Sequence, residues 1–241
     1  MSVQISPASR ILVALDRPDP AEARALMRNL APLGCGFKVG LTLLPMLGEA
    51  EIAEMTAEGG KLFLDYKLHD IGQTVAGAVR TICRTKAAFL TVHAEAPVMR
   101  AAVAAKSDEN LKLLGVTVLT SLDDSDLQAA GYKDNVAELT ARRAKQAKEI
   151  GMDGLICSPM EVAALRKIVG AEMCLITPGV RPLGSDQGDQ KRVMTPRDAL
   201  LAGADYLVIG RPIVAAPDPA QALADIIATL PSTLPSIELQ D

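Results

Sequence analysis

KLFLDYKLHDIG, residues 61–72, reads as one strand and the loop that leaves it. The apolar lead, Phe63-Leu64, runs without a break into Asp65, Lys67, His69 and Asp70, so two carboxylates, a lysine and an imidazole fall within six positions. Such a strand has an oily body and a charged end. Its apolar part resembles seven other short runs: ILVAL (11–15), FKVG (37–40), AFLTVH (88–93), LLGVTVL (113–119), GLICS (154–158), CLITP (174–178) and YLVIG (206–210). All are uniformly apolar rather than alternating, the mark of a sheet covered on both faces. Helical patterns lie between them, among them AEARALMRNL (21–30), AELTARRAKQAKEI (137–150) and EVAALRKIVG (161–170). Eight strand-then-helix units in 241 residues predict an α/β fold, a (β/α)8 TIM barrel, as a single domain over 1–241. A doubly wound open sheet is the alternative, and no GxGxxG follows the first run to favour it.

Composition narrows the function classes. The net charge is −4 and the pI near 5.3, without the basic face that a nucleic-acid partner requires. Aromatic residues are 2% and tryptophan is absent, which leaves no base-stacking platform. No apolar run reaches the length of a membrane span, and MSVQISPASR lacks the apolar core of a signal peptide. Cys35, Cys83, Cys157 and Cys174 show no ligand or redox spacing. They read as reduced, mostly buried thiols of a cytoplasmic protein, and no metal site is expected.

In such a barrel chemistry collects where strands end, on the loops that lead into helices. Asp16 ends the first strand and Lys38 lies on the second. Asp65, Lys67 and then Asp70 belong to the third, and His93 ends the fourth. Thr120-Ser121 follow the fifth, Pro178-Gly179 and Arg181 the seventh, and Gly210-Arg211 the eighth. Nearly every strand delivers a polar group to one rim. Alternation along a strand puts Asp65 and Lys67 on one face and Tyr66 on the other. With Lys38 on the neighbouring strand, Asp65 is expected between two cations. Two readings stay open: an ion-pair network that only holds loops, or a preorganised catalytic array in which the lysine donates a proton. His69 reads as a loop or packing histidine; His93 is either a support for the site or a satisfied core histidine.

The segment PGVRPLGSDQGDQKRVMTP, 178–196, is far longer than an ordinary loop of this kind. Thr195 and Pro196 mark its end as a helix cap and first helical residue. It reads as a mobile phosphate-gripping lid at about 178–195 or as a slack insertion. YLVIGRPI, 206–213, places Gly210 and Arg211 where barrels often hold phosphate, with an ordinary surface arginine as the competing reading.

These residues together resemble the orotidine 5'-monophosphate decarboxylase family, over nearly the whole chain from Asp16 to Arg211. The DxKxxD segment, Asp65 to Asp70, is shared with related sugar-phosphate decarboxylases. PGVRP at 178–182, GDQ at 188–190, TP at 195–196 and GRP at 210–212 resemble the bacterial orotidylate enzymes more narrowly. The resemblance implies a cofactor-independent lyase that turns orotidine 5'-monophosphate into UMP and CO2, the last step of UMP biosynthesis. It implies that Asp16 binds a ribose hydroxyl and that Lys38 bridges ribose and Asp65. It further implies that Asp65 faces the substrate carboxylate, that Lys67 protonates C6, and that Asp70 and Thr74 reach a neighbouring subunit's site in a homodimer. Thr120 and Ser121 would meet the pyrimidine, Arg181, Gln190, Gly210 and Arg211 would hold the phosphate end, and Pro178 counts among the substrate-binding residues. Where the family usually reads Pro-Asn-Thr after Asp-Ile, this chain has Gly72-Gln73-Thr74, a departure that bears on the subunit interface.

Overall fold

A computed structural model describes residues 6–182 and 194–231. The eight apolar runs become eight parallel strands: β1 Ile11–Ala14, β2 Gly36–Val39, β3 Leu62–Leu68, β4 Phe89–His93, β5 Lys112–Val116, β6 Gly154–Ile156, β7 Cys174–Thr177 and β8 Tyr206–Ile209. They follow one another around a closed barrel, and β1 pairs with β8 to seal it. The open-sheet alternative is thereby excluded.

Among the described residues ten helices surround the strands: α1 Pro20–Leu30, α2 Glu49–Gly59, α3 Gly72–Cys83, α4 Ala96–Ala105, α5 Asp124–Ala129, α6 Val136–Ile150, α7 Val162–Val169, α8 Pro196–Leu201, α9 Arg211–Val214 and α10 Pro219–Thr229. Their starts follow from local chemistry. Asp19, Asn135, Thr195 and Asp218 each accept a backbone N–H of the first turn, and Pro20, Pro196 and Pro219 open three of the four helices, where a missing N–H costs nothing. The cap at Thr195-Pro196 is the one expected from the sequence.

Two apolar layers result. The larger lies between strands and helices, where Val13, Phe37, Leu64, Val92, Leu155 and Ile209 meet side chains such as Met27, Val79, Met99 and Leu165. The smaller fills the barrel itself: Leu12, Phe63, Phe89, Leu114, Ile176, Tyr206 and their neighbours. Three of the chain's few aromatic rings stack edge to face there, Phe63 on Phe89 at 6.0 Å and Phe89 on Tyr206 at 5.2 Å. Burying each such side chain contributes about 1.5–3 kcal/mol. Gly154 opens β6 because a Cβ there would stand 2.4 Å from the Cys174 carbonyl oxygen.

The four cysteines are free and buried, as the sequence reading expects. Burial pushes the Cys35 and Cys157 thiols up to about 12 and raises that of Cys174 as well.

The N-terminal end of the barrel is stapled twice in the same way. Asp153, just before β6, accepts the Leu113 N–H at 2.7 Å and pairs with Lys106 at 3.0 Å. Asp205, just before β8, accepts the Leu175 N–H at 2.7 Å and pairs with Arg166 at 2.6 Å. Removing the second carboxylate strands a buried N–H and takes the counter-charge from a largely buried guanidinium, which keeps its bonds to the Gly170, Met173 and Gly203 carbonyls. Asp205→Ala is therefore expected to cost about 3 kcal/mol, lowering Tm by roughly 6–12 °C in a chain of this size. A calorimetric shift below about 2 °C would remove the staple from the stability of the barrel.

Candidate active site

The C-terminal mouth of the barrel holds a cavity of about 500 Å³, within the range of small-molecule sites. Its floor is apolar: Ala14, Phe63, Val116, Ile156 and Val208 close the barrel interior beneath it. Its walls carry Asp16, Lys38, Asp65, Lys67, Thr120, Ser121, Pro178, Arg181, Gly210 and Arg211. Residues on seven of the eight strands or their following loops thus converge on one space; the rim pattern in the sequence counts the fourth strand, with His93, among them, whereas β4 sends no residue to the wall and β6 adds the apolar Ile156.

The charged wall is ordered. The Lys67 ammonium lies 2.7 Å from Asp65 Oδ2, and both side chains are more than two-thirds buried. Thr91 Oγ1, from β4, donates to the other oxygen, Asp65 Oδ1, at 2.9 Å. The same hydroxyl accepts the backbone N–H of Lys67 at 2.9 Å. Thr91 is fully buried. Nothing in the sequence singled it out, because a threonine in an apolar run reads as an ordinary strand residue.

β3 does not reach this arrangement by regular alternation. Between Leu64 and Leu68 it advances four residues while β4 advances two, from Leu90 to Val92. The surplus is a bulge, a device that re-aims side chains beside active sites. Lys67 takes φ +49°, the left-handed region that a lysine seldom occupies. Asp65 and Lys67 do meet, and Tyr66 packs outward against the helical layer, but a bulge brings this about rather than the simple pleat the sequence reading assumed.

The Lys38 ammonium stands 2.7 Å from Asp16 Oδ1, and among the described residues no ion pair joins it to Asp65, so Asp65 has one cation against it rather than the two expected. The register explains the choice. Lys38 lies opposite Ala14 on β1 and Phe63 on β3, so carboxylates on both sides are within reach, and Lys67 already holds Asp65. Gly40 makes room for the pair, since a Cβ there would stand 3.0 Å from Lys38 Nζ and 3.1 Å from Asp16 Oδ1.

Asp70 and Thr74 are exposed and do not line the cavity. Asp70 accepts the Ile71 N–H at 2.6 Å. His69 meets Glu95 at 3.0 Å and its ring lies 4.8 Å from that of His93. Burial, then the His69 and Arg143 charges, lower the His93 pKa. Neither histidine lines the cavity, and His69 is exposed.

At the other end, β5 leaves the ladder after Val116, so Thr120 and Ser121 stand on a loop rather than at a strand end. After β7, Val180 bridges Met194, and Arg181 N–H donates to the Met194 carbonyl at 2.9 Å. The long segment is thus pinned at its base. Residues 183–193, with Gln190 and most of the expected lid, lie outside the described residues.

Comparison with known proteins agrees with this geometry. Residues 9–226 match the model of the orotidine 5'-phosphate decarboxylase / HUMPS family. The chain is 52% identical to orotidine 5'-phosphate decarboxylase of Bradyrhizobium diazoefficiens, over 93% of this chain and 94% of that protein. It is also 52% identical to the protein of the same name from Afipia carboxidovorans, over 93% and 96%. The crystal structure of orotidine 5'-phosphate decarboxylase from Lactobacillus acidophilus superposes with a TM-score of 0.79 at 34% identity, covering 90% of this chain and 97% of that one. With a matched model over most of its length and relatives at half identity, the chain belongs to the orotidine 5'-phosphate decarboxylase / HUMPS family.

Proposed function

We propose that this protein decarboxylates orotidine 5'-monophosphate to UMP without a cofactor, and that Lys67 delivers the proton to C6. The observation that carries the reading is the Asp65–Lys67 pair held at 2.7 Å beside an apolar floor. In the reaction the C6–carboxylate bond breaks, CO2 leaves, and the electron pair stays on C6. That carbanion lies in the ring plane and has no conjugated sink, so a fixed cation beside it is what the chemistry demands. The Lys67 ammonium supplies the charge and then the proton, and solvent reprotonates the amine. Asp65 stands where it would face the substrate carboxylate, a repulsion relieved as CO2 departs.

The remaining wall divides by chemistry. Asp16 and Lys38, paired at 2.7 Å, suit the ribose hydroxyls, and Thr120 and Ser121 suit the polar edge of the pyrimidine. Arg181 and Arg211, with Gly210 and Pro178, form the end suited to phosphate, where Gln190 is the further proposed ligand. Phosphate binding there is the proposed trigger for closure of the 178–195 segment over the site. The pathway and the four free cysteines fit a cytoplasmic enzyme.

The exposed Asp70 and Thr74 fit a homodimer with shared sites. Ile71, between β3 and α3, is 71% exposed, and Leu41 and Met46, between β2 and α2, are 59% and 60% exposed. Exposed large apolar side chains on the loops that follow β2 and β3 are suited to burial against a twin.

The direct test is the absorbance change when purified protein meets orotidine 5'-monophosphate, with and without EDTA. Turnover unaffected by EDTA is expected. Loss of activity on chelation would instead favour the metal-assisted sugar-phosphate chemistry found elsewhere among DxKxxD barrels. Lys67→Ala should lower kcat by roughly 10³-fold or more while UMP binding persists; a few-fold drop removes the proton-donor role. Arg211→Ala should weaken UMP and orotidylate by about 1.5–3 kcal/mol and spare the phosphate-free nucleoside, as titration calorimetry can measure. Mixing Lys67→Ala with Asp70→Ala subunits should restore roughly a quarter of wild-type activity, since half the dimers are mixed and each holds one intact site. No recovery after verified exchange excludes the shared site.

A further inference from the structure

The Thr91 hydroxyl closes a ring. Lys67 N–H donates to Thr91 Oγ1, Thr91 Oγ1 donates to Asp65 Oδ1, and the Lys67 ammonium donates to Asp65 Oδ2. Each contact is 2.7–2.9 Å long. One hydroxyl thereby touches both members of the charged pair, one through its backbone and the other through its carboxylate.

The placement has a physical reason. The β3 bulge upsets the β3–β4 register between Leu64 and Leu68, and a bulge leaves backbone groups without their regular ladder partners. Within it Lys67 is left-handed, a conformation that persists only when its surroundings fix it. The Thr91 oxygen takes the Lys67 N–H and so holds the backbone at the residue whose side chain must be aimed. The Thr91 proton fixes the plane of the Asp65 carboxylate, so its second oxygen faces Lys67. Thr91 itself is fully buried, so its hydroxyl is shielded from solvent, and its bond to the Asp65 carboxylate is charge-assisted and so of the stronger kind.

We infer that Thr91 is a positioning residue for the reaction: its hydroxyl sets the Asp65 carboxylate and the Lys67 backbone in the geometry that serves proton delivery. The inference rests on the role proposed for Lys67, although the ring itself does not. Thr91 is not part of the cavity wall, so its effect falls on the chemical step rather than on substrate binding.

Three substitutions separate the hydroxyl from the methyl. Thr91→Val keeps the shape and removes the hydroxyl, Thr91→Ser keeps the hydroxyl and removes the methyl, and Thr91→Ala removes both. The hydroxyl device predicts kcat reduced roughly 10- to 100-fold in Val and Ala, with Ser within about threefold of wild type. KM for orotidylate and the affinity for UMP should move by less than about threefold in all three. A packing role predicts the opposite order, Val active and Ser and Ala impaired, and that order overturns the inference. So does a loss that falls on KM alone.

A second measurement needs no substrate. Hydrogen–deuterium exchange over residues 63–69 of the full chain should be slow in wild type and Thr91→Ser and faster in Thr91→Val and Thr91→Ala. If wild type fails to consume orotidylate, the proposed function falls while the exchange pattern still decides whether Thr91 holds the pair. If wild type turns over and neither kcat nor exchange distinguishes Val from Ser, the inference alone is wrong.

Discussion

A closed barrel of parallel strands has no free edge and no free face. β1 pairs with β8, helices cover the outside, and Phe63, Phe89 and Tyr206 help to fill the inside. Charged side chains on such strands have few places to go except the two ends. At the N-terminal end they become staples, Asp153 with Lys106 and Asp205 with Arg166. At the C-terminal end they become the cavity wall. Much of the site follows from this constraint, since eight strands that must expel their polar residues at one rim deliver them to a common space.

The array at that rim is close to balanced in energy. Opposite charges 4 Å apart gain about 4 kcal/mol at an effective dielectric constant near 20, and the Asp65–Lys67 pair is nearer than that. Desolvation takes back much of the gain, and a left-handed non-glycine residue costs about 1–3 kcal/mol more. Attraction alone therefore does not hold Asp65 and Lys67 in one geometry. The two Thr91 hydrogen bonds, one to the Asp65 carboxylate and one from the Lys67 N–H, add to that hold.

This balance also explains what the sequence could disclose. Uniformly apolar runs announce buried parallel strands, and all eight appear within a few residues of their expected places. Thr195 and Pro196 state their roles through side-chain chemistry alone. The bulge in β3 is different. Period-two reading assumes a register, and register depends on which neighbour a strand meets, so neither the left-handed Lys67 nor its bond to Thr91 could be read from 61–72. The Lys38 pairing was ambiguous for a similar reason: in a barrel every strand has two neighbours, and carboxylates stood on both sides. The rim pattern supplied the candidate residues apart from Thr74 and Gln190, which came with the family resemblance, and, the histidines aside, the structure brings all the described ones to the cavity except Asp70 and Thr74.

Those two exceptions fit the same logic. An exposed side chain that lies outside its own cavity can enter a mouth placed opposite. Ile71, between Asp70 and α3, is exposed where an isolated chain gains nothing from an apolar residue. If burying Ile71 against a twin brings Asp70 to the twin's Lys67, association and completion of the charged array become one event. The proposed dimer would then contribute to the electrostatics of the site as well as to its stability, because a carboxylate brought to Lys67 in a water-poor interface stabilises the ammonium more than an exposed one could.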